Sequence, residues 1–272
     1  MNEQRRGYLE SFQNGDFRYA ATLKESLTNW EFWVERANWF FYRELYENWH
    51  PVYANSYELY WERNNKPGEN TLTEGFETMV IDVDETTKKI VVLCDQQING
   101  MADVYIDYAV KKNNRRSSKL LIQTELQVAN TGTVYASGGE YYESNYLRNT
   151  SAEYIPVPVV NGYGEIEIRS CPERNTYLQL NSISCDRIYT VASDFLEVTS
   201  IAEAEDNASI IVVPYTQKSM DATNGAVAVL YNGIEAEIQE ITQEDSVIYI
   251  TVSGKIQKTQ SNILKLMKEM GD

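Results

Sequence analysis

The chain contains a single histidine, His50. A catalytic triad built on an imidazole must use this residue, and a zinc or iron site with several histidine ligands is excluded. His50 stands between Trp49 and Pro51, at an expected break between two helices. An isolated histidine there reads as structural or hydrated. The three cysteines, Cys94, Cys171 and Cys185, form no CxxC pair. They read as reduced thiols, Cys94 as a core residue closing the run Ile90-Val91-Val92-Leu93, with a Cys171–Cys185 bridge as the alternative. Glu165 and Glu167 share one face of a strand, and glycoside hydrolysis uses paired carboxylates. A chain with 40 acidic residues supplies such pairs by number alone. Asp82-Val83-Asp84-Glu85 begins like a calcium loop, but Thr87 and Leu93 stand where that loop needs glycine and glutamate. These acids therefore read as a hydrated turn between strands. No phosphate-binding GxGxxG, nor GxxxxGK followed by Ser or Thr, occurs. The residues specify no reaction, metal or cofactor, and we expect a protein that is not an enzyme.

Charge points the same way. The chain has 272 residues and a formal charge of −16, with 43% hydrophobic and 24% charged residues, which excludes wholesale disorder. Half of that negative charge falls in residues 201–254, where nine acids face the single base Lys218. The one concentrated basic run is Lys111-Lys112-Asn113-Asn114-Arg115-Arg116-Ser117-Ser118-Lys119. It reads either as a solvated hairpin loop or as an electrostatic contact in which Lys111, Lys112, Arg115 and Arg116 meet the acidic 201–254 module of a neighbouring copy. The acidic balance disfavours sequence-specific nucleic-acid binding by the isolated chain. No apolar run approaches a membrane span, and Met1-Asn2-Glu3-Gln4-Arg5-Arg6 leads into no apolar stretch of a secretory signal, so neither membrane insertion nor signal-dependent export is expected.

These groups must be positioned by two kinds of element. Residues 1–61 hold 17 of the 32 aromatic side chains and all five tryptophans. Leu27, Trp30, Val34, Ala37, Phe41 and Leu45 recur at helical spacing, with Ser26 as N-cap. Pro51 is placed to open a second helix through Tyr53, Tyr57, Tyr60 and Trp61, and a short helix is expected over residues 2–13. Phe32, Trp33, Trp39, Phe40, Tyr42, Tyr46 and Trp49 put large rings on more than one side of the long helix, more than so short a segment buries on itself. The rings pack either onto the following β-region or onto another subunit. In the second case Trp30, Trp33, Trp39, Phe40, Trp49 and Trp61 form a docking surface.

From Thr71 the apolar period changes to two. Strands are expected over 77–83, 88–94, 104–110, 120–128, 165–168, 187–192, 208–213, 226–231, 234–241 and 246–252, with Asn232-Gly233 as the clearest hairpin turn. A linker is expected at 199–207, an irregular Gly- and Tyr-rich contact loop at 130–162, and a short amphipathic helix at 261–270. The tyrosines of that loop, among them Tyr141 and Tyr142, together with Tyr60-Trp61, suit either a sugar platform or a protein contact. The expected fold is α+β: an aromatic helical segment (1–68), an antiparallel sandwich- or barrel-like β domain (69–200), a small acidic β module (201–256) and a C-terminal helix (257–272).

The aromatic helical block 16–63, the β-modules over 71–254 with turns such as Asn232-Gly233, and the terminal segment 261–270 together resemble the organisation of virion structural proteins of tailed bacteriophages. The resemblance is architectural and carries no individual functional residue. It implies a connector, collar, tail or baseplate component, assembled in the host cytoplasm from many copies with other virion proteins, whose acidic lumen lets DNA pass. The alternatives are a glycan- or receptor-binding β-module of tail-fibre or adhesin type, and a polysaccharide hydrolase acting through paired carboxylates.

Overall fold

In the computed structural model of the chain, the described residues are 3–24, 34–36, 38–68, 71–85, 87–112, 125–127, 144–146, 152–169, 176–190 and 195–268. The chain opens with helix α1 (Glu3–Asn14), strand β1 (Tyr19–Leu23), helix α2 (Trp39–Asn48) and strands β2 (Trp49–Ala54) and β3 (Glu58–Arg63). Nine strands follow: β4 (Thr71–Leu72), β5 (Phe76–Asp82), β6 (Thr87–Cys94), β7 (Gly100–Lys112), β8 (Glu125–Gln127), β9 (Ser144–Tyr146), β10 (Ala152–Val160), β11 (Tyr163–Arg169) and β12 (Thr176–Tyr189). The remainder holds β13 (Phe195–Glu197), β14 (Ser200–Glu203), β15 (Ala208–Pro214), helix α3 (Gln217–Thr223), β16 (Ala226–Tyr231), β17 (Ile234–Glu244), β18 (Val247–Ser253) and β19 (Ile263–Lys268). The fold is α+β, as the change of period predicts. Among the described residues no helix is long and apolar enough to cross a membrane.

The chain divides into two compact units that do not follow the sequence-based boundaries. One comprises 1–27, 44–70 and 190–272, the other 28–43 and 71–189. The expected linker at 199–207 holds β14, which pairs with β15 from Ser200↔Val212 to Glu203↔Ser209.

In the 28–43/71–189 unit the strand order is β4-β12-β7-β10-β11-β6-β5, with β8 and β9 attached beside β11. Alternate residues of the central strands form its core: Ile90 and Val92, Val104 and Ile106, Ile155 and Val157, Ile166 and Ile168. Each such side chain contributes roughly 1.5–3 kcal/mol on leaving water. β10 falls where an irregular loop was expected, yet it pairs with β7 from Ala152↔Asp107 to Val159↔Gly100. Its turn into β11 is Asn161-Gly162, both at positive φ (51° and 80°). A Cβ at Gly162 would lie 2.5 Å from the Gln96 carbonyl oxygen, so glycine is required there.

The other unit holds two sheets. The C-terminal sheet runs β13-β19-β16-β17-β18-β15-β14. β17 pairs with β16 through its first half and with β18 through its second, and the register shift between Ile238 and Glu240 bends the strand between them. Asn232-Gly233 forms the expected tight turn from β16 into β17, at φ 49° and 78°. The expected C-terminal helix is a strand instead: β19 lies between β13 and β16, pairing Leu264 with both Leu196 and Tyr231. A short apolar run has no decisive period, and two waiting strand edges settle its state.

The second sheet of this unit has the order β1-β3-β2. It replaces the helix expected after Pro51. Asn55 Oδ1 accepts the amides of Tyr57 and Glu58 at 2.7 Å each, turning the chain back on itself. Leu59 and Trp61 are then buried while Glu58, Tyr60 and Glu62 lie on the opposite face. The rings at 53, 57, 60 and 61 fit a helical spacing, but their alternation with acids also fits a half-buried strand, for which aromatic residues are well suited. His50 accordingly sits on β2, not at a helix break.

Candidate functional site

The three-stranded sheet has a sealed face and an open face. On the sealed face Trp61, 2% exposed, donates Nε1–H to Thr22 Oγ1 at 2.9 Å and lies edge-on to Phe195. Trp49, fully buried, stacks on Phe12 of α1 with ring centroids 5.0 Å apart. The Arg63 guanidinium lies 5.0 Å from the Trp49 ring and donates to the Phe12 carbonyl at 2.9 Å. The tryptophans thus join the sheet to its own chain.

Trp39 is buried in the other unit, where its Nε1 donates to Asp103 Oδ1 at 2.8 Å. The expected docking surface is therefore corrected for Trp39, Trp49 and Trp61: intramolecular partners consume them, as the intramolecular reading of the ring excess requires. Phe40 is half-buried, and Trp30 and Trp33 lie outside the described residues.

The open face carries the exposed side chains. Tyr19 and Leu23 on β1 are 54% and 47% exposed. The ladder places Tyr19 opposite Glu62, Ala21 opposite Tyr60 and Leu23 opposite Glu58. Across β3 the same face continues to His50, opposite Glu62, and Tyr53, opposite Tyr60. The Tyr53 and Tyr60 rings lie 5.8 Å apart. Tyr60 Oη donates to Glu58, and that bond to an anion raises the phenol above its ordinary value.

Among the described residues no strand pairs with the outer side of β1. Arg18 O accepts from Arg63 N and Lys24 N donates to Tyr57 O, so the even-numbered residues of β1 bond to β3. The amide and carbonyl groups of Tyr19, Ala21 and Leu23 point away from β3. The flanking bases are committed elsewhere, Arg18 to Glu62 at 2.9 Å and Lys24 to Glu197 at 2.7 Å. The opposite edge, β2, is covered: Ser261 Oγ donates to Val52 O at 2.7 Å, and Asn262 bonds both the amide and the carbonyl of Ala54.

Beside this face lies a groove of about 1030 Å³, lined by Tyr19, His50, Tyr53 and Asn64 of the N-terminal segment and by Phe195, Asn232, Gln260 and Lys265 of the C-terminal one. His50 Nδ1 donates to Asn64 Oδ1 at 2.6 Å. Asn64 Nδ2 is buried with no acceptor among the described residues. The aromatic sugar platform expected around Tyr141 and Tyr142 lies outside the described residues, and of its other members Trp61 is buried.

In the 28–43/71–189 unit the main buried polar cluster surrounds Asp103, 1% exposed. Its second oxygen accepts from Arg43 Nε at 2.8 Å, and the guanidinium lies 3.8 Å from the Tyr154 ring centroid. Burial pushes the Asp103 carboxyl above its usual range, against the opposing pull of Arg43 and the Trp39 hydrogen bond. This arrangement clamps the start of α2 onto β7. Asp103 alternates with Val104 and Ile106 of β7, a position that by period alone reads as outward and solvated.

The remaining candidates separate. Glu165 is held by Lys89 at 3.0 Å and accepts from Tyr163 Oη, which lifts that phenol to about 12. Asp84 Oδ1 accepts the Thr87 amide at 2.8 Å in the β5–β6 turn, and Asp82 pairs with Lys88. Lys111 and Lys112 lie at the end of β7, opposite Tyr177 and Thr176, while Arg115 and Arg116 are outside the described residues. Cys94 and Cys185 are free thiols raised by burial to about 11 and about 12, and Cys171 lies outside the described residues. Among the described residues no group of three or more His, Cys, Asp or Glu could hold a metal ion. Comparison with protein-family models, with curated proteins and with solved structures found no match.

Proposed function

We propose that this chain is a non-enzymatic assembly protein that associates with copies of itself in a large symmetric complex, in the style of a connector, collar or tail component of a tailed-phage virion. The observation that carries the reading is the open edge of β1. Solvent-facing strand edges are normally guarded by charge, proline or a bulge, and Tyr19-Ala20-Ala21-Thr22-Leu23 has none of these. The occupant is β1 of a second copy, antiparallel about a twofold axis at Ala21. Each Tyr19 then opposes a Leu23, ring against aliphatic chain, and each Ala21 opposes its own equivalent. Such an isologous contact closes a twofold dimer, the commonest symmetric unit, and a larger complex adds further contacts between these dimers. Phe17, Tyr53 and Tyr57 are also exposed in this segment, Tyr53 on β2 at the opposite side of the sheet from β1.

Light scattering of the purified chain, followed by electron microscopy, tests the reading. The expected result is a defined species well above the 31.3 kDa of one copy, with rotational symmetry in class averages. A monodisperse 31.3 kDa particle at every concentration would overturn it.

A further inference from the structure

We infer that Asn224-Gly225 and Asn232-Gly233 are sites of covalent self-modification, losing ammonia to become aspartate or isoaspartate. The chain has three further Asn-Gly steps, Asn14-Gly15, Asn99-Gly100 and Asn161-Gly162, and the fold shields these. The reaction belongs to the dipeptide itself. The glycine amide nitrogen, having given up its proton to base, bonds to the asparagine Cγ, and the Cγ–Nδ2 bond breaks to release ammonia. The resulting succinimide takes up water at either carbonyl, which yields aspartate or isoaspartate. Attack requires the intervening peptide to swing and the glycine N–H to be free of an acceptor. Glycine, lacking Cβ, permits the swing, so the surroundings decide where it happens.

Three of the five steps are held. Gly15 N donates to Ser11 O and Asn14 Nδ2 to Glu10 O, both at 2.9 Å. Asn99 is 4% exposed and its Oδ1 accepts the Asn161 amide at 2.8 Å, while a Cβ at Gly100 would lie 2.7 Å from Tyr189 O. Gly162 N donates to Ile98 O, and its carbonyl accepts from Cys94 N, each at 2.8 Å. The other two steps are open. Asn232 and Gly233 form the exposed two-residue turn from β16 into β17, closed by the Tyr231↔Ile234 pair. Asn224 and Gly225, also exposed, end α3, with Gly225 at φ 71°. Among the described residues neither Gly225 N nor Gly233 N has an acceptor, and a Cβ at either glycine would meet nothing within 4 Å. Each conversion adds one negative charge to a chain already at −16, and isoaspartate also lengthens the backbone of the turn.

The full chain is incubated at mildly alkaline pH, native and in urea, and mass spectrometry of its peptides follows the exchange of NH2 for OH at each step. In the native chain Asn224 and Asn232 should convert about tenfold or more faster than Asn14, Asn99 and Asn161, where held bonds or close packing must open first. In urea the five rates should converge, because glycine follows asparagine in every case. Replacing Asn224 and Asn232 together by glutamine, whose longer side chain must close a six-membered ring, should remove the acidic species that anion exchange resolves. An open site that stays intact in the native chain, a held site that keeps pace with it, or a spread of rates that persists in urea would overturn the inference. The chemistry is read at single residues, so it stands or falls apart from the assembly reading.

Discussion

Replacing Ala21 with proline tests the β1 edge at a single atom. The Ala21 amide points away from β3, so proline removes no bond of the existing ladder and only withdraws the outward donor. In the twofold pairing three outward residues per strand exchange about six main-chain hydrogen bonds, each worth about 1 kcal/mol net. Tyr19 and Leu23 add apolar contact: covering about half of their exposed area on both copies removes on the order of 200 Å², or about 5 kcal/mol. These gains oppose an association cost of the same order, so the pairing is sensitive to each bond. Proline deletes the two reciprocal Ala21 bonds, about 2 kcal/mol, which weakens self-association about thirtyfold. Sedimentation velocity over a dilution series measures this, and circular dichroism checks the fold. Ala20→Pro is the opposite control, since Ala20 faces Trp61 within the ladder and its loss should destabilise the sheet itself. Equal association of wild type and Ala21→Pro would refute the edge as the contact.

Three further outcomes probe the interior. Thr22→Val keeps the shape of the side chain but leaves Trp61 Nε1–H without its acceptor, and should cost about 1–3 kcal/mol in urea unfolding with little change in m-value. Arg43→Met strands a buried carboxylate and should cost about 3 kcal/mol at neutral pH, at the lower end for a broken buried pair because Arg43 keeps 30% side-chain exposure. Without Arg43 the folded Asp103 pKa rises further above the unfolded value, so the native state binds the proton first; the variant should regain stability as pH falls through that raised pKa, and a penalty independent of pH would contradict this. Cys94 and Cys185 titrate near 11 and 12 when folded, above the ordinary thiol value of 9.0, so their contribution to stability declines as pH rises past 9.0. At pH 8 iodoacetamide should modify both far more slowly in the native protein than in urea, as read by mass spectrometry.

The β-rich body of this protein and several of its turns are legible in the order of its residues alone. Period-two alternation in Ile90–Val92 and Val104–Ile106 is the direct consequence of a strand with one face in a core, and Asn232-Gly233 has the backbone freedom its turn requires. The same signal was present at Asn161-Gly162 and marks the β10–β11 hairpin that the Tyr-rich composition around it obscured. The state of the ambiguous aromatic and apolar segments depends instead on long-range packing. Tyr53 to Trp61 and Ile263 to Lys268 suit helix or strand locally, and they became strands because neighbouring edges and cores completed their hydrogen bonds. The tryptophans illustrate the same rule. A count of rings near Trp49 and Trp61 registers apolar surface to be hidden but not the surface that hides it, and Phe12, Tyr46 and Phe195 come from places far apart in the chain. The groove likewise joins Asn64 to Gln260, a pairing of distant residues that no local pattern encodes.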